Sequence, residues 1–364
     1  MFNLLADRLR RLSPRTGVVL VAVALLALPF ALSFVGTAWV RIANFAILYV
    51  LLALGLNIVV GFAGLLDLGY VAFYAVGAYV YALLSSPHFG LHLPFWVTIP
   101  LGAAVAGVFG VLLGAPTLKL RGDYLAIVTL GFGEIIRIFL NNLSQPVNLT
   151  NGPQGVARID PVRIGGFDFS TSGSFLGLAV SGPMKVYYLL LVLMLAVIVI
   201  TMRLQNSRIG RAWEAIREDE IAARAMGIDT TRIKLLAFAM GATFGGVAGG
   251  MFAAIQGFVS PESFVLVESI MIVAMVVLGG MGNIPGVILG AVLLSIVPEI
   301  LRWTVAPVQE ALFGRSIIEP EVIRMLIFGF ALVFAMLYRP AGLLPSAVRR
   351  RELASHDGSA GESR

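Results

Sequence analysis

Three acidic residues lie within or between long apolar stretches of the chain, where an ionised side chain is costly and is therefore a candidate for function. Glu134 is followed three residues later by Arg137, so the two side chains can form a salt bridge on one helix face. Glu268 has no basic residue near it in the sequence, although a hydrogen bond from a neighbouring helix would also satisfy it. Asp67 is surrounded by glycines. These carboxylates are the groups that could meet a polar solute or a proton.

Asp67 belongs to a glycine-rich apolar segment, residues 55–77, which is typical of a discontinuous membrane helix. An interrupted helix exposes backbone polar groups, and these must face protein or a cavity instead of lipid. Asp67 either caps the helix that restarts after the interruption or meets the ammonium group of a substrate. The candidate translocation path consists of residues from this segment and the two other acidic residues: Asn57, Gly61, Gly64, Asp67, Glu134 and Glu268.

The polar segment 204–234 predicts a helix, a turn and a second short helix. Three apolar residues lie at positions 0, 4 and 7 of the first helix, and Gly227 can end the second. Such a pair is either an interfacial element lying on lipid or a docking site for a soluble partner, and its mixed charge favours docking. The candidate docking residues are Ile209, Trp213, Ile216, Glu220, Ala222, Ala223 and Gly227.

The composition predicts an all-α, polytopic membrane protein embedded in a lipid bilayer. The 364 residues are 59% hydrophobic and 13% charged, against about 45–50% and about 25% in soluble domains. The net charge of +6 comes mainly from arginines clustered between apolar runs, which indicates membrane topology and argues against a nucleic-acid surface. Cysteine is absent, which excludes disulfides, thiolate metal ligands and cysteine nucleophiles.

About ten apolar segments are predicted as membrane spans with a window of about 19 residues. They lie near residues 17–35, 40–60, 70–84, 95–114, 124–140, 186–203, 235–256, 264–280, 285–303 and 321–338. The third is short, so we expect it to be tilted, interrupted or only partly spanning. In the seventh, Gly241, Gly245 and Gly249 are spaced four residues apart, which predicts close packing against neighbouring helices.

The distribution of lysine and arginine predicts that both termini are cytoplasmic. The basic segments are the N-terminal arm, the turn 115–123, the segment 204–234 and the tail, and with ten spans all four fall on one side. The first apolar run resembles a signal peptide, but it is long and further spans follow, so we expect it to be retained. The predicted regions are a cytoplasmic arm at 1–16, a transmembrane domain at 17–338 with an outer loop at 141–185 and a cytoplasmic coupling loop at 204–234, and a largely disordered tail at 339–364.

The sequence contains no arrangement of residues that predicts an enzyme. A phosphate-binding loop requires a lysine preceded by glycine, and none of Lys119, Lys185 and Lys234 follows a glycine. His88 and His92 are four residues apart, and they are interpreted as loop histidines in preference to metal ligands. We therefore expect no cofactor and no metal in this chain, and we expect any ATP to be handled by another subunit.

Four stretches resemble the permease subunits of bacterial branched-chain amino-acid ABC importers of the LivM type. They are LNIVVGFAGLLDLGYVAF at 56–73, LRGDYLA at 120–126, GRAWEAIREDE at 210–220 and GGMGNIPGVILGA at 279–291. The resemblance implies an all-helical importer permease in the bacterial inner membrane. It also implies a second similar permease, two cytoplasmic ATPases that hold ATP and magnesium, and a periplasmic substrate-binding protein.

Importer permeases of this broad group often carry an E-A-A-x-x-x-G motif that couples them to their ATPases. Ala222, Ala223 and Gly227 fit this pattern. Ile221 occupies the glutamate position, and Glu220 lies one residue early, so the resemblance does not identify every docking residue.

We therefore predict a permease subunit that moves leucine, isoleucine and valine by alternating access, with ATP hydrolysis in partner subunits. One alternative is an ABC permease for another small solute, such as ribose, urea or a short amide. A second is a stand-alone transporter driven by a proton through Asp67, Glu134 or Glu268. A membrane scaffold without transport activity is disfavoured by the interrupted segment and the acidic residues.

Overall fold

The computed structural model describes residues 14–118, 120, 122–145, 148–175 and 178–313, together with 322, 326, 329–330, 333, 337 and 342–344. This part of the chain is mostly helical. The helices are α1 (Pro14–Val35), α2 (Thr37–Asn57), α3 (Val71–Leu84), α4 (Phe95–Thr117), α5 (Asp123–Asn142), α6 (Gly182–Gln205), α7 (Arg208–Glu218), α8 (Glu220–Ala225), α9 (Thr230–Gln256), α10 (Leu266–Gly279) and α11 (Ile284–Phe313).

Short strands lie between the helices and form three two-stranded antiparallel sheets. β1 (Val156–Ala157) pairs with β6 (Phe258–Val259), β2 (Arg163–Ile164) with β3 (Phe167–Asp168), and β4 (Gly173–Phe175) with β5 (Leu178–Val180). A π-helical turn at Ile58–Phe62 extends α2, and 3-10 turns lie at Gly152–Gln154 and Pro261–Ser263.

Six described helical segments are long and apolar enough to cross a membrane. They are Thr37–Phe62, Phe95–Thr117, Gly182–Gln205, Thr230–Gln256, Pro261–Gly279 and Ile284–Thr304. The predicted spans 17–35, 70–84 and 124–140 coincide with helices α1, α3 and α5, which do not satisfy this criterion of length and composition. The tenth predicted span, 321–338, lies largely outside the described residues, so the count of ten stays a prediction.

Helix α9 lies at the centre of the bundle and packs against α2, α3 and α4. Its glycines permit the close approach that their spacing predicted. A Cβ atom added to Gly249 would overlap the carbonyl oxygen of Tyr74, and one added to Gly246 would lie 2.6 Å from the Cβ of Ala106. Packing at this distance requires small residues on both helices.

The bundle has two distinct ends. The strand end carries the segments 85–94 and 148–181, where the amide of Asp160 donates a hydrogen bond of 2.6 Å to the carbonyl of Ser85. The α7–α8 end carries those two helices and the turn 280–283. The 63–70 stretch between α2 and α3 begins at the α7–α8 end, since Gly64 contacts Arg217 of α7.

Candidate functional site

The discontinuous helix predicted at 55–77 is, in the structure, a non-helical stretch between two separate helices, α2 and α3; we call this stretch the interruption. The chain reverses direction there, because Gly55 of α2 lies by Gly241 of α9 whereas Tyr74 of α3 lies by Gly249.

Helix α2 ends at Asn57, the π-helical turn follows, and α3 begins only at Val71. The side chain of Asn57 is buried, and its Oδ1 accepts a hydrogen bond of 2.8 Å from the backbone N–H of Gly282. A Cβ on Gly61 would overlap Asn57 Oδ1 and would lie 2.6 Å from the same amide nitrogen. The interruption is therefore packed directly against the turn between α10 and α11.

Asp67 is fully buried at the centre of the interruption. Its Oδ1 accepts a hydrogen bond of 2.9 Å from the N–H of Gly69, and Thr129 Oγ1 accepts one of 3.0 Å from the N–H of Leu68. The residue at the N-cap position of α3 is Tyr70, which makes no capping side-chain hydrogen bond. Asp67 thus stabilises the turn that precedes α3 and does not cap the helix itself. A substrate contact at Asp67 stays a prediction.

Helix α7 lies over the interruption. The guanidinium of Arg217 donates a hydrogen bond to the carbonyl oxygen of Gly61, inside the π-helical turn. Gly64 has φ of +69°, and a Cβ there would lie 2.8 Å from Cγ of Arg217. A cavity of about 320 Å³ adjoins this contact, and Glu220 and Lys234 also line it. The interruption and α7 are therefore in direct contact, side chain to backbone.

The apolar face of α7 points towards the bundle. Trp213 is fully buried and its Nε1 donates a hydrogen bond of 2.7 Å to the carbonyl of Ile233, at the start of α9. Ile216 is 5% exposed, and Ile209 is half-buried against the core. The apolar face of α7 is therefore used to attach it to its own chain. The sequence predicts this apolar face but does not show that the same chain covers it. Trp213 and Ile216 are therefore inaccessible to a partner, and Ile209 is only partly accessible.

One side of helix α8 is buried against the bundle, and its other side is exposed. Ala223 is 4% exposed. Glu220 forms salt bridges with Lys234 at 2.6 Å and with Arg224 at 3.1 Å. Ala222 and Gly227 are exposed, and the φ of Gly227 is +87°. Of the predicted docking residues, these last two are the ones that a partner can reach directly.

Two exposed apolar residues of this end were missed as docking candidates. The exposed fractions of Ile221 and Met226 are 71% and 83%. The sequence contained a signal for both residues. An apolar residue in a short charged helix must face either the core or a partner, and Ala223 already occupies the side that faces the core. With Ala222 and Gly227 they form an exposed surface, which we call the α8 surface.

The two remaining acidic candidates have different kinds of partner: that of Glu134 lies on its own helix, and that of Glu268 lies on another helix. Glu134 Oε2 accepts a hydrogen bond of 3.0 Å from Arg137 Nε, as the three-residue spacing predicted. Arg137 also contacts Glu262 at 3.3 Å, which ties α5 to the turn before α10. Glu268 Oε2 accepts a hydrogen bond of 3.0 Å from the hydroxyl of Tyr49 on α2. Glu268 therefore joins two helices directly, whereas Glu134 orients Arg137, which makes the contact between elements.

Comparison with known proteins bears out the family resemblance. A family model described as branched-chain amino acid transport system, permease component, matches residues 38–336. The chain is 45% identical to the high-affinity branched-chain amino acid transport system permease protein LivM of Escherichia coli, over 94% of this chain and 78% of that protein. No solved structure matches the chain.

More distant relatives include both LivM and LivH proteins. A probable LivM of Methanocaldococcus jannaschii is 27% identical over 75% of this chain and 74% of its own length. The LivH permease protein of Salmonella typhimurium is 26% identical over 68% of this chain and 80% of its own length. The family model matches most of the chain, and the identity to LivM is 45%. The chain therefore belongs to the family of branched-chain amino acid transport system permease components.

Proposed function

We propose that this chain is the transmembrane permease subunit of an ATP-driven importer of leucine, isoleucine and valine. Family membership and the names of the LivM relatives support the substrate class. The observation that carries the mechanism is the contact between α7 and the π-helical turn that leads into the interruption, made by Arg217 at the carbonyl of Gly61. A movement imposed on α7 and α8 would reach the interruption without passing through another element.

The proposed topology has ten spans, with the α7–α8 end in the cytoplasm, the strand end in the periplasm and both termini cytoplasmic. The direction of α11 and the position of Leu343 after it support a tenth span. Helix α11 has 30 residues, or about 45 Å at about 1.5 Å per residue, and starts at the α7–α8 end. The amide of Leu343 is back at that end, where it donates a hydrogen bond of 2.8 Å to Leu278. The return of the chain to this end is the observation that supports the tenth predicted span, 321–338.

In the proposed assembly, two ATPase subunits dock on the cytoplasmic side and hold ATP and magnesium. This chain pairs with a second permease of the same family, as the LivH relatives suggest. A periplasmic binding protein delivers the amino acid at the strand end. ATP binding moves α8 and α7, and the interruption at 63–70 changes which end of the path is open. This chain itself holds no nucleotide and performs no covalent chemistry.

The proposal is tested by reconstituting the chain with the second permease and the ATPases in proteoliposomes, with the binding protein supplied. We expect uptake of labelled leucine that requires ATP and is inhibited by isoleucine and valine but not by ribose or urea. Uptake that persists without the ATPases and is abolished by a protonophore would overturn the proposal in favour of a proton-driven transporter. ATP-dependent uptake of ribose or urea alone would overturn the substrate class.

A further inference from the structure

A second cavity lies at the strand end, apart from the α7–α8 contacts. Its volume is about 450 Å³, within the range of about 300–1,000 Å³ that is typical of small-molecule sites. Helices α2, α6 and α9 contribute to its walls, together with the segment 161–170. Since three helices and a loop converge there, the cavity is part of the bundle and not a groove on one helix.

The polar groups of the cavity can bind the charged atoms of an α-amino acid. Arg41 is exposed, and among the described residues it makes no hydrogen bond or salt bridge. Gly182, the first residue of α6, also lines the cavity, and a helix N-terminus attracts anions. The N–H of Gly182 is the donor of this turn that faces a ligand, because Pro183 has no N–H and the next two amides donate to the carbonyl of Ser181. A guanidinium beside a helix N-terminus suits a carboxylate, which an arginine can bind through two hydrogen bonds.

Asn44 supplies the complementary acceptor. It is 2% exposed, and its Nδ2 donates a hydrogen bond of 3.0 Å to the carbonyl of Pro183, which fixes the side chain at the wall of the cavity. Its Oδ1 is buried and has no hydrogen-bond partner among the described residues. A buried acceptor is costly to leave unpaired. An ammonium group is the donor that would satisfy it while a carboxylate lies near Arg41.

The rest of the cavity is apolar. Phe45, Val162, Phe169, Val186 and Ile255 contribute to its walls. Asn44 lies one residue before Phe45 on α2, so the polar and apolar groups share one short stretch of helix. Burial of an aliphatic side chain against these residues would remove its apolar surface from water. This burial stabilises binding and requires no hydrogen bond from the side chain.

We propose that this cavity binds a free aliphatic α-amino acid in its zwitterionic form. The carboxylate binds Arg41 and the N–H of Gly182, the ammonium group binds Asn44 Oδ1, and the side chain contacts the apolar wall. This inference rests on the proposed function and deepens it, because it places the substrate at the strand end before it enters the path. It requires a ligand with both charges, so leucine amide and leucinol bind poorly.

The test uses a leucine analogue with a diazirine on its side chain, photolysed with the assembled permease–ATPase complex. Mass spectrometry locates the adducts. We expect labelling of peptides that contain residues 41–45, 161–170, 182–186 or 254–256, and competition by leucine, isoleucine and valine. The Arg41→Gln variant should need an analogue concentration about tenfold higher or more for the same labelling, because a charge-assisted hydrogen bond is lost. Arg41→Lys should retain part of the labelling.

The matched control is Arg158→Gln, an exposed arginine of the strand-end loops that does not line the cavity. This variant should leave labelling unchanged. All variants should elute from size-exclusion chromatography as intact complexes, which shows that they fold. Adducts confined to other peptides, or equal competition by leucine amide, would overturn the site. Competition by anionic lipid but not by leucine would also overturn it, in favour of a lipid headgroup. If the site fails while ATP-driven leucine uptake is intact, the proposed function stands.

Discussion

Arg217 of α7 and Gly61 of the π-helical turn are joined by a hydrogen bond from the guanidinium to the backbone carbonyl. The contact joins an element that is predicted to receive the ATPases to the interruption between α2 and α3. A second connection runs from α8 to α9 through Glu220 and Lys234, at 2.6 Å. We therefore expect a movement of the α7–α8 pair to act on the interruption and on the central helix together.

Replacing Arg217 by glutamine should uncouple ATP hydrolysis from transport. A hydrogen bond to a charged group contributes about 1.5–3 kcal/mol, so its loss corresponds to roughly a tenfold or larger fall in coupled uptake. The measurement compares leucine uptake with ATP hydrolysis in the same proteoliposomes. The control is Arg211→Gln, an exposed arginine of α7 that bonds only to the carbonyl of Asn206 among the described contacts. Unchanged uptake per ATP in the Arg217 variant would contradict the proposed link.

Charge introduced on the α8 surface should prevent ATPase binding. Ile221→Glu and Met226→Glu place a carboxylate at positions that are 71% and 83% exposed. The fold should tolerate both, because neither side chain is part of the core. Co-purification of the ATPases should fall by about tenfold or more, as expected for the loss of an interface anchor of about 2 kcal/mol. Phe167→Glu, 61% exposed at the strand end, is the control and should bind the ATPases normally.

Glu220→Gln should destabilise the chain. The side chain of Lys234 is 8% exposed and that of Glu220 is 22% exposed, so the variant leaves a largely buried ammonium beside a neutral group. Breaking a fully buried pair costs ~3–5 kcal/mol; we expect ~2 kcal/mol here because Glu220 is partly hydrated. The Tm should fall by several degrees in a thermal aggregation assay. Asp229→Asn breaks an exposed pair with Arg232 and should change the free energy of unfolding by less than ~1 kcal/mol.

Gly77→Ala should disrupt the packing of α3 against α9. A Cβ there would overlap the backbone of Gly246, so the two helices must separate. We expect poor expression or a clear loss of thermal stability, measured by size-exclusion chromatography after heating. Gly131→Ala is the matched control, because a Cβ at Gly131 meets no atom within 4 Å and alanine favours helix by up to ~1 kcal/mol. Equal stability of the two variants would contradict the packing described for α3 and α9.

Glu268→Gln should leave ATP-driven uptake within about twofold of the wild type. Glutamine keeps an oxygen that can accept the hydrogen bond from Tyr49, so the contact between α2 and α10 survives. A proton-driven transporter that used Glu268 would lose its activity, since glutamine cannot take up a proton. Uptake measured at several external pH values distinguishes the two results.

The non-helical stretch at 63–70 and the Glu134–Arg137 salt bridge were predictable because each depends on residues close together in the sequence. The reversal of chain direction between α2 and α3 was not predicted, since glycine spacing does not show whether a helix resumes in the same direction. The burial of Trp213 against α9 was not predictable in the same way. Helical periodicity shows that Ile209, Trp213 and Ile216 share a face, but it does not show whether that face meets a partner or the same chain. The Asn44–Pro183 contact joins residues 139 positions apart, and no local sequence pattern predicts it.

The most direct test of the account is cross-linking from single cysteines, because the chain contains none of its own. Cysteine is introduced at Ile221, at Met226 or, as a control, at Phe167, and each variant is treated with a bifunctional thiol-to-amine reagent in a transport-active complex. We expect cross-links from positions 221 and 226 to the ATPases and none from position 167. Cross-links to the ATPases from position 167, or their absence from 221 and 226 in an active complex, would contradict it.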